Sequence, residues 1–220
     1  TLTMRAEARF MRAMFMYYLM DLYGNVPIKT SVSSESTPQS SRSEVFAFVE
    51  KELKDIVGDG EGNEVLADKR ATYGRADKVA GWILLSRLYL NAEVYTGSAQ
   101  WQKAKDYADK AIKAGYSLCT EGKNGYSAYQ LLFMGDNDAN GAEKEIVLPA
   151  IHDGIDTQTW GGCLFIIAST NSTAKYTLDL GTQEQWGGNR VTKQFAEKFL
   201  TETTAPNSSN PAEVATAAGD

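Results

Sequence analysis

Histidine and cysteine are almost missing from this chain: one His (His152) and two Cys (Cys119 and Cys163) occur in 220 residues. A structural zinc site needs four such ligands in close spacing, and no Cys-x-x-Cys or Cys/His grouping exists, so zinc has no support. A disulfide between Cys119 and Cys163 stays open, and two cysteines do not identify a redox compartment. Catalysis of the Ser-His or Cys-His type would fall to His152, which has no Ser in a nucleophile elbow and no Cys at a helix start to accompany it. His152 therefore reads as structural or solvated. No glycine-rich loop follows a strand and opens a helix, so nucleotide binding is unsupported. Basic runs are also lacking: 22 Lys and Arg against 28 Asp and Glu leave a net charge of −6. Binding to a phosphate backbone rests on Lys and Arg, so nucleic acid is excluded as a partner. No apolar run reaches the roughly 18 residues of a membrane span. Thr1 leads almost directly into a helical pattern, without a charged start and apolar stretch, which places any signal peptide upstream of it.

What is present is ordinary globular usage, 43% hydrophobic and 23% charged, enough for a buried core. The strongest pattern is a pair of helices. In the first, Trp82, Leu85, Tyr89 and Ala92 recur at three and four residues as one apolar stripe. The second, 101–112, carries the small residues Ala104, Ala108 and Ala111, with Trp101 and Ile112 at its ends. Small residues let a neighbouring helix approach closely, so the two read as a tetratricopeptide-like hairpin. One hairpin cannot bury both of its faces, which implies further pairs stacked beside it.

Upstream, 4–23 reads as a helix apolar on two sides, with Met4, Ala8, Met11, Phe15, Tyr18 and Leu22 on one and Phe10, Met14 and Tyr17 on the other. A helix of that kind is expected to lie between neighbours. Gly24 and Pro27 end it. Residues 30–42 read as a Ser/Thr-rich loop, and Ser43 as the cap of a helix over 44–57 whose stripe is Val45, Phe46, Val49, Leu53 and Ile56. Arg5, Arg9 and Arg12 share one helix face; ion pairs to neighbouring helices or to solvent explain them better than an anion site.

After Gly115 the character changes. Residues 121–140 are rich in Gly, Asn, Asp and Tyr, while 145–151 and 164–168 are predicted short strands. A last amphipathic helix over 191–200 places Val191, Phe195 and Phe199 together, and 201–220 is a low-complexity loop or tail too poor in apolar residues to pack by itself. The tail reads as a loop cut before its far end, so both chain ends read as lying within a larger protein. The expected organisation is a helical scaffold over 1–118, an irregular, short-strand region over 119–200 ending in a helix, and the tail over 201–220.

Chemistry is sought in the irregular region. Asp153 and Asp156 are acids near His152, but a glycosidase pair is defined by its separation in space, and 28 acids make such pairs common. Trp160 and Trp186 are better signals, since each is followed by two glycines and stands in polar sequence. A sugar ring packs its C–H face on an aromatic plane while amides, carboxylates and Arg bond its hydroxyls. A Trp beside Gly can equally fill a satellite core under a loop. The run from Asp136 to Gly141 alternates hard oxygen donors that suit Ca²⁺, although it is shorter than an EF-hand loop, lacks that loop's closing Glu, and by itself is more often an Asx turn.

Residues 6–15, followed by Tyr18, Asp21, Gly24, Val26 and Pro27, resemble the signature helix of the SusD/RagB family, the surface glycan-binding lipoproteins of Bacteroidetes. The order of motifs agrees: Tyr73 to Lys78, Arg87 to Ala92, Val94 to Gly97, the helix over 101–112, Gly115 to Leu118, and Glu145 to Pro149. The resemblance covers 1 to about 200 and is closest to the starch-binding member, which has counterparts of 118–120, 132–138 and 160–162. It implies a mostly α fold of tetratricopeptide-like hairpins carrying a loop- and strand-rich glycan-binding insertion, here as a fragment. It also implies binding without catalysis. Starch or maltooligosaccharide would be captured for import through a SusC-like TonB-dependent transporter, on an outer-membrane surface reached by an upstream lipid anchor. On the same resemblance Trp160 and Trp186 match aromatic residues of the starch site, and Asp138 matches a calcium-binding aspartate whose other ligands lie elsewhere. The family binds varied glycans, so another polysaccharide is an alternative. A second is a peptide-binding scaffold with no sugar ligand.

Overall fold

The computed structural model describes residues 1–70, 72–157, 162–170, 186–190, 192–196 and 198. The chain forms two compact units, Thr1–Ala150 and Ile151–Asp220. Within the first, α1 (Leu2–Tyr23), α2 (Arg42–Val57), α3 (Lys78–Leu90), α4 (Ala92–Thr96) and α5 (Trp101–Ile112) make the helical scaffold. The order of packing follows the chain, α1 on α2, α2 on α3 and α3 on α5.

Helix α1 buries Ala6, Phe10, Ala13, Tyr17 and Met20, a stripe at alternating spacings of four and three. Its other side, with Met4, Met11, Phe15, Tyr18 and Leu22, is exposed. The expectation of a helix covered on both faces therefore holds for one face, because the described elements supply a neighbour only there. Gly24 ends the helix at φ 76°, its N–H returning to Met20 O at 2.9 Å. Helix α2 is capped by Ser41 rather than Ser43. Ser41 stands three residues before Glu44, so the two close a reciprocal capping box, with Ser41 N–H donating to Glu44 at 2.7 Å. That geometry also holds the exposed Glu44 carboxyl below its usual range.

The interface of α1 and α2 carries a charged network whose acids Glu52 and Asp55 are buried and whose outer arginines reach solvent. Arg9 Nη2 donates to Glu52 Oε1 at 2.8 Å and to Asp55 Oδ2 at 3.0 Å, and Arg9 Nη1 reaches Glu64 at 3.5 Å. Arg12 Nε adds a bond to Glu52 at 3.1 Å, and Arg5 pairs with Glu64 at 3.2 Å. Burial pushes the Glu52 carboxyl up, but Arg9 and Arg12 pull it further down, below the usual range. The arginine face thus serves ion pairing between helices. Gly60 completes the enclosure, since a Cβ there would stand 2.3 Å from Asp55 Oδ1 and 2.9 Å from Asp55 N. The turn can wrap the Asp55 carboxylate only without a side chain.

Asp77 starts α3, accepting Val79 N–H at 3.0 Å and Ala80 N–H at 3.1 Å. Gly81 lets α3 lie close to α2, because a Cβ would meet Val57 Cγ1 at 2.5 Å. The α3/α5 hairpin follows the sequence expectation: Leu85, Tyr89 and Ala92 are buried, Ala104 and Tyr107 face them, and Tyr89 stacks on Tyr107 at 5.6 Å and 16°. Each fully buried Leu or Phe of this core contributes about 1.5–3 kcal/mol.

Residues 116–150 pack onto the scaffold without forming a sheet. Tyr116 OH donates to Asp77 at 2.7 Å, and Arg70, 4.7 Å from the Tyr73 ring centroid and 5.3 Å from that of Tyr116, donates to Val147 O at 2.5 Å and Glu143 O at 3.0 Å. The predicted strand at 145–151 is irregular, because Pro149 removes a donor and an arginine, not a strand, satisfies the Val147 carbonyl. In the second unit the predicted strand at 164–168 lies inside α7 (Gly162–Thr170). Its run of apolar residues has no alternation, so periodicity alone could not separate helix from strand. Among the described residues only isolated bridges occur, such as Val26 with Ser40. Of the predicted helix over 191–200, α8 covers Lys193–Ala196 with Phe195 exposed, and Val191 and Phe199 lie outside the described residues.

Candidate functional site

Asp153 sets the first turn of the second unit. Its Oδ1 accepts N–H bonds from Ile155, Asp156 and Thr157 at 2.9, 2.8 and 2.9 Å, an Asx turn built around one carboxylate. The Thr157 and Ile155 amides lead in pulling this exposed carboxyl down to about 2. A general acid needs the opposite shift. Asp153 is a turn residue, and neighbouring His152 and Asp156 are exposed.

The last carbonyls of α7 have no partners within the helix, and the segment at 186–190 supplies them. Trp186 N–H donates to Ala168 O at 2.8 Å, Asn189 N–H to Ser169 O at 2.8 Å, and the Asn189 amide to Ser169 Oγ at 2.7 Å. The Trp186 backbone is thereby held against the helix while the residue stays 53% exposed. Phe165, one helical turn before Ser169, meets that ring edge-on at 5.7 Å and 60°. The sequence reading named Trp186 as a candidate and did not foresee its contact with Phe165, which looked like part of a strand. Trp160 lies outside the described residues, as does the side chain of Cys163, while Cys119 is a free thiol.

Asp138 stands exposed in a loop in which two side-chain oxygens serve internal bonds. Asp136 Oδ1 accepts from the Asn140 amide at 3.0 Å, and Asn140 Oδ1 accepts Ala142 N–H at 3.0 Å. Among the described residues no three of His, Cys, Asp and Glu assemble as a metal-holding group. The fit to calcium here is one carboxylate. Elsewhere in the first unit an open, mainly apolar groove of about 580 Å³ lies between α3, α5 and residues 116–118, with Ile83, Ala108, Ala111 and Leu118 on its walls.

A family model described as SusD-like, starch-binding and associating with the outer membrane matches residues 1–90. The chain is 37% identical over 201 residues to the starch-binding protein SusD of Bacteroides thetaiotaomicron, covering 91% of this chain and 34% of that protein. It is also similar to the crystal structure of a SusD-like protein from Bacteroides fragilis, with TM-score 0.60 and 24% identity, covering 96% of this chain and 39% of the other. The latter likeness is one of fold. The chain therefore spans about a third of the length of SusD.

Proposed function

Since the chain belongs to the SusD-like family, we propose that it is part of a cell-surface protein that captures starch or maltooligosaccharide without cleaving it. The captured glycan passes to a SusC-like TonB-dependent transporter, and the protein is held at the outer membrane by a lipid anchor upstream of Thr1. The observation that carries this reading is Trp186, a half-exposed residue whose backbone is fixed by α7. Its apolar area suits the C–H face of a glucose ring and is worth about 1–2 kcal/mol of contact. Trp160 is proposed as the companion platform and Asp138 as a calcium ligand, the remaining oxygens coming from outside the described residues.

The test is calorimetric titration of the intact protein with maltoheptaose. Trp186→Ala weakens binding about tenfold and leaves the melting temperature unchanged. Cooperative loss of the fold would instead make Trp186 a packing residue. The reading as a peptide-binding scaffold draws on the apolar groove between α3 and α5. It predicts that the Trp186 variant binds every glycan as the unaltered protein does.

A further inference from the structure

We propose that Tyr129 and Phe133 form a separate surface site for a neutral polysaccharide, a second stacking platform that rests on the glycan-binding reading but shares no residue with Trp186. The short helix α6 (Ala128–Leu131) buries Leu131, whereas Tyr129 within it is 71% exposed and Phe133, in the turn just after it, 72% exposed. Their ring centroids are 5.0 Å apart with planes at 59°, so the rings support each other and both keep open area.

The turn that carries them is fixed at each end. Ser127 and Gln130 close a reciprocal capping box, Ser127 N–H donating to Gln130 Oε1 at 2.8 Å and Gln130 N–H to Ser127 Oγ at 3.3 Å. On the far side, the buried Asn140 donates its amide to Leu131 O at 2.9 Å, and Asn137 donates to Leu132 O at 2.9 Å. Two side-chain amides thus satisfy carbonyls that the end of α6 leaves open. Rigid presentation of large rings lowers the ordering cost of binding.

Two arguments select the ligand. An aromatic ring offers about 150–250 Å², so this pair falls short of the roughly 800 Å² per partner of a stable protein interface, yet covers one or two pyranose rings. The adjacent loop presents the exposed carboxylate of Asp136, which accepts hydrogen bonds from sugar hydroxyls and repels an anionic polymer. A neutral hexose or pentose polymer fits both features.

Native affinity electrophoresis of the intact protein in gels containing amylopectin, dextran, xylan or inulin tests the site. In whichever polymer retards the unaltered protein, Tyr129→Ala/Phe133→Ala weakens retardation about tenfold, keeps the melting temperature, and Tyr129→Trp retains binding. Retardation of the double variant equal to that of the unaltered protein overturns this inference alone. A melting temperature several degrees lower also overturns it, by showing that the rings are packed and not presented. If none of the four polymers retards the unaltered protein, while the Trp186 titration likewise gives no heat, both readings fall together.

Discussion

Replacing Arg9 by Met keeps the aliphatic stem in the α1/α2 interface and removes one charge from a network of buried acids. Glu52 and Asp55 are 7% and 5% exposed, and Arg9 bonds both, at 2.8 and 3.0 Å. Removing one partner of a buried ion pair costs about 3–5 kcal/mol, because the remaining charge stays desolvated. Arg12 still bonds Glu52 at 3.1 Å and Lys51 still bonds Asp55 at 2.7 Å, so the loss belongs at the lower end, about 3 kcal/mol. At about 2–4 °C per kcal/mol for a chain of this size, the melting temperature falls by about 6–12 °C. The deficit also carries a pH signature. Burial raises the carboxyl pKa of Glu52 and of Asp55, but their cations lower both further, to a net value below the ordinary range. Depressed folded values mean that the stabilisation is present above the unfolded values, about 4.3 for Glu and 3.9 for Asp, and is lost as pH falls through the folded ones. Without Arg9 the two acids take up protons more readily, which relieves their repulsion. Urea unfolding followed by circular dichroism should therefore show a full deficit at about pH 7 and a smaller one at about pH 4. A loss below about 1 kcal/mol, the size of an exposed pair, or a deficit equal at the two pH values, refutes this account.

Asp77→Ala removes the α3 cap and the acceptor of Tyr116 OH, which together cost about 2–4 kcal/mol. Burial and the Asp77 carboxylate hold the Tyr116 phenol above its ordinary pKa, so the variant's phenol titrates at lower pH in ultraviolet spectra; an unmoved titration would show that burial alone sets it. For the calcium proposal, EDTA lowers the melting temperature of the intact protein, Ca²⁺ restores it, Mg²⁺ restores it poorly, and Asp138→Ala responds to none of them. An unaltered protein indifferent to EDTA, with no metal by elemental analysis, makes residues 136–141 a plain Asx turn.

Spacing revealed the scaffold because helices bury stripes, and stripes repeat at three and four. Helix α5 occupies the residues its pattern indicated, whereas α2 is capped by Ser41 and not by the expected Ser43, because only Ser41 stands three residues before Glu44. The irregular region was less legible. An apolar run such as 164–168 suits helix and strand equally, and in the structure it lies within α7, whose last carbonyls are met by residues 186 and 189. Tyr129 and Phe133 are spaced as a helical pair, a signal available in the sequence but lost among the turn residues around them.

Sequence alone determined the family, the helical hairpins and the candidacy of Trp186, since each depends on residue type at a local spacing. Tertiary structure alone decided that Arg9 answers acids 43 and 46 residues away, that among the described residues only one apolar face of α1 is covered, and that Asp153 serves a turn. It also decided that Trp186 and Tyr129 are more than half exposed. Exposure and charge pairing depend on which distant segments come together, and that sum over the whole chain is not written at any one position.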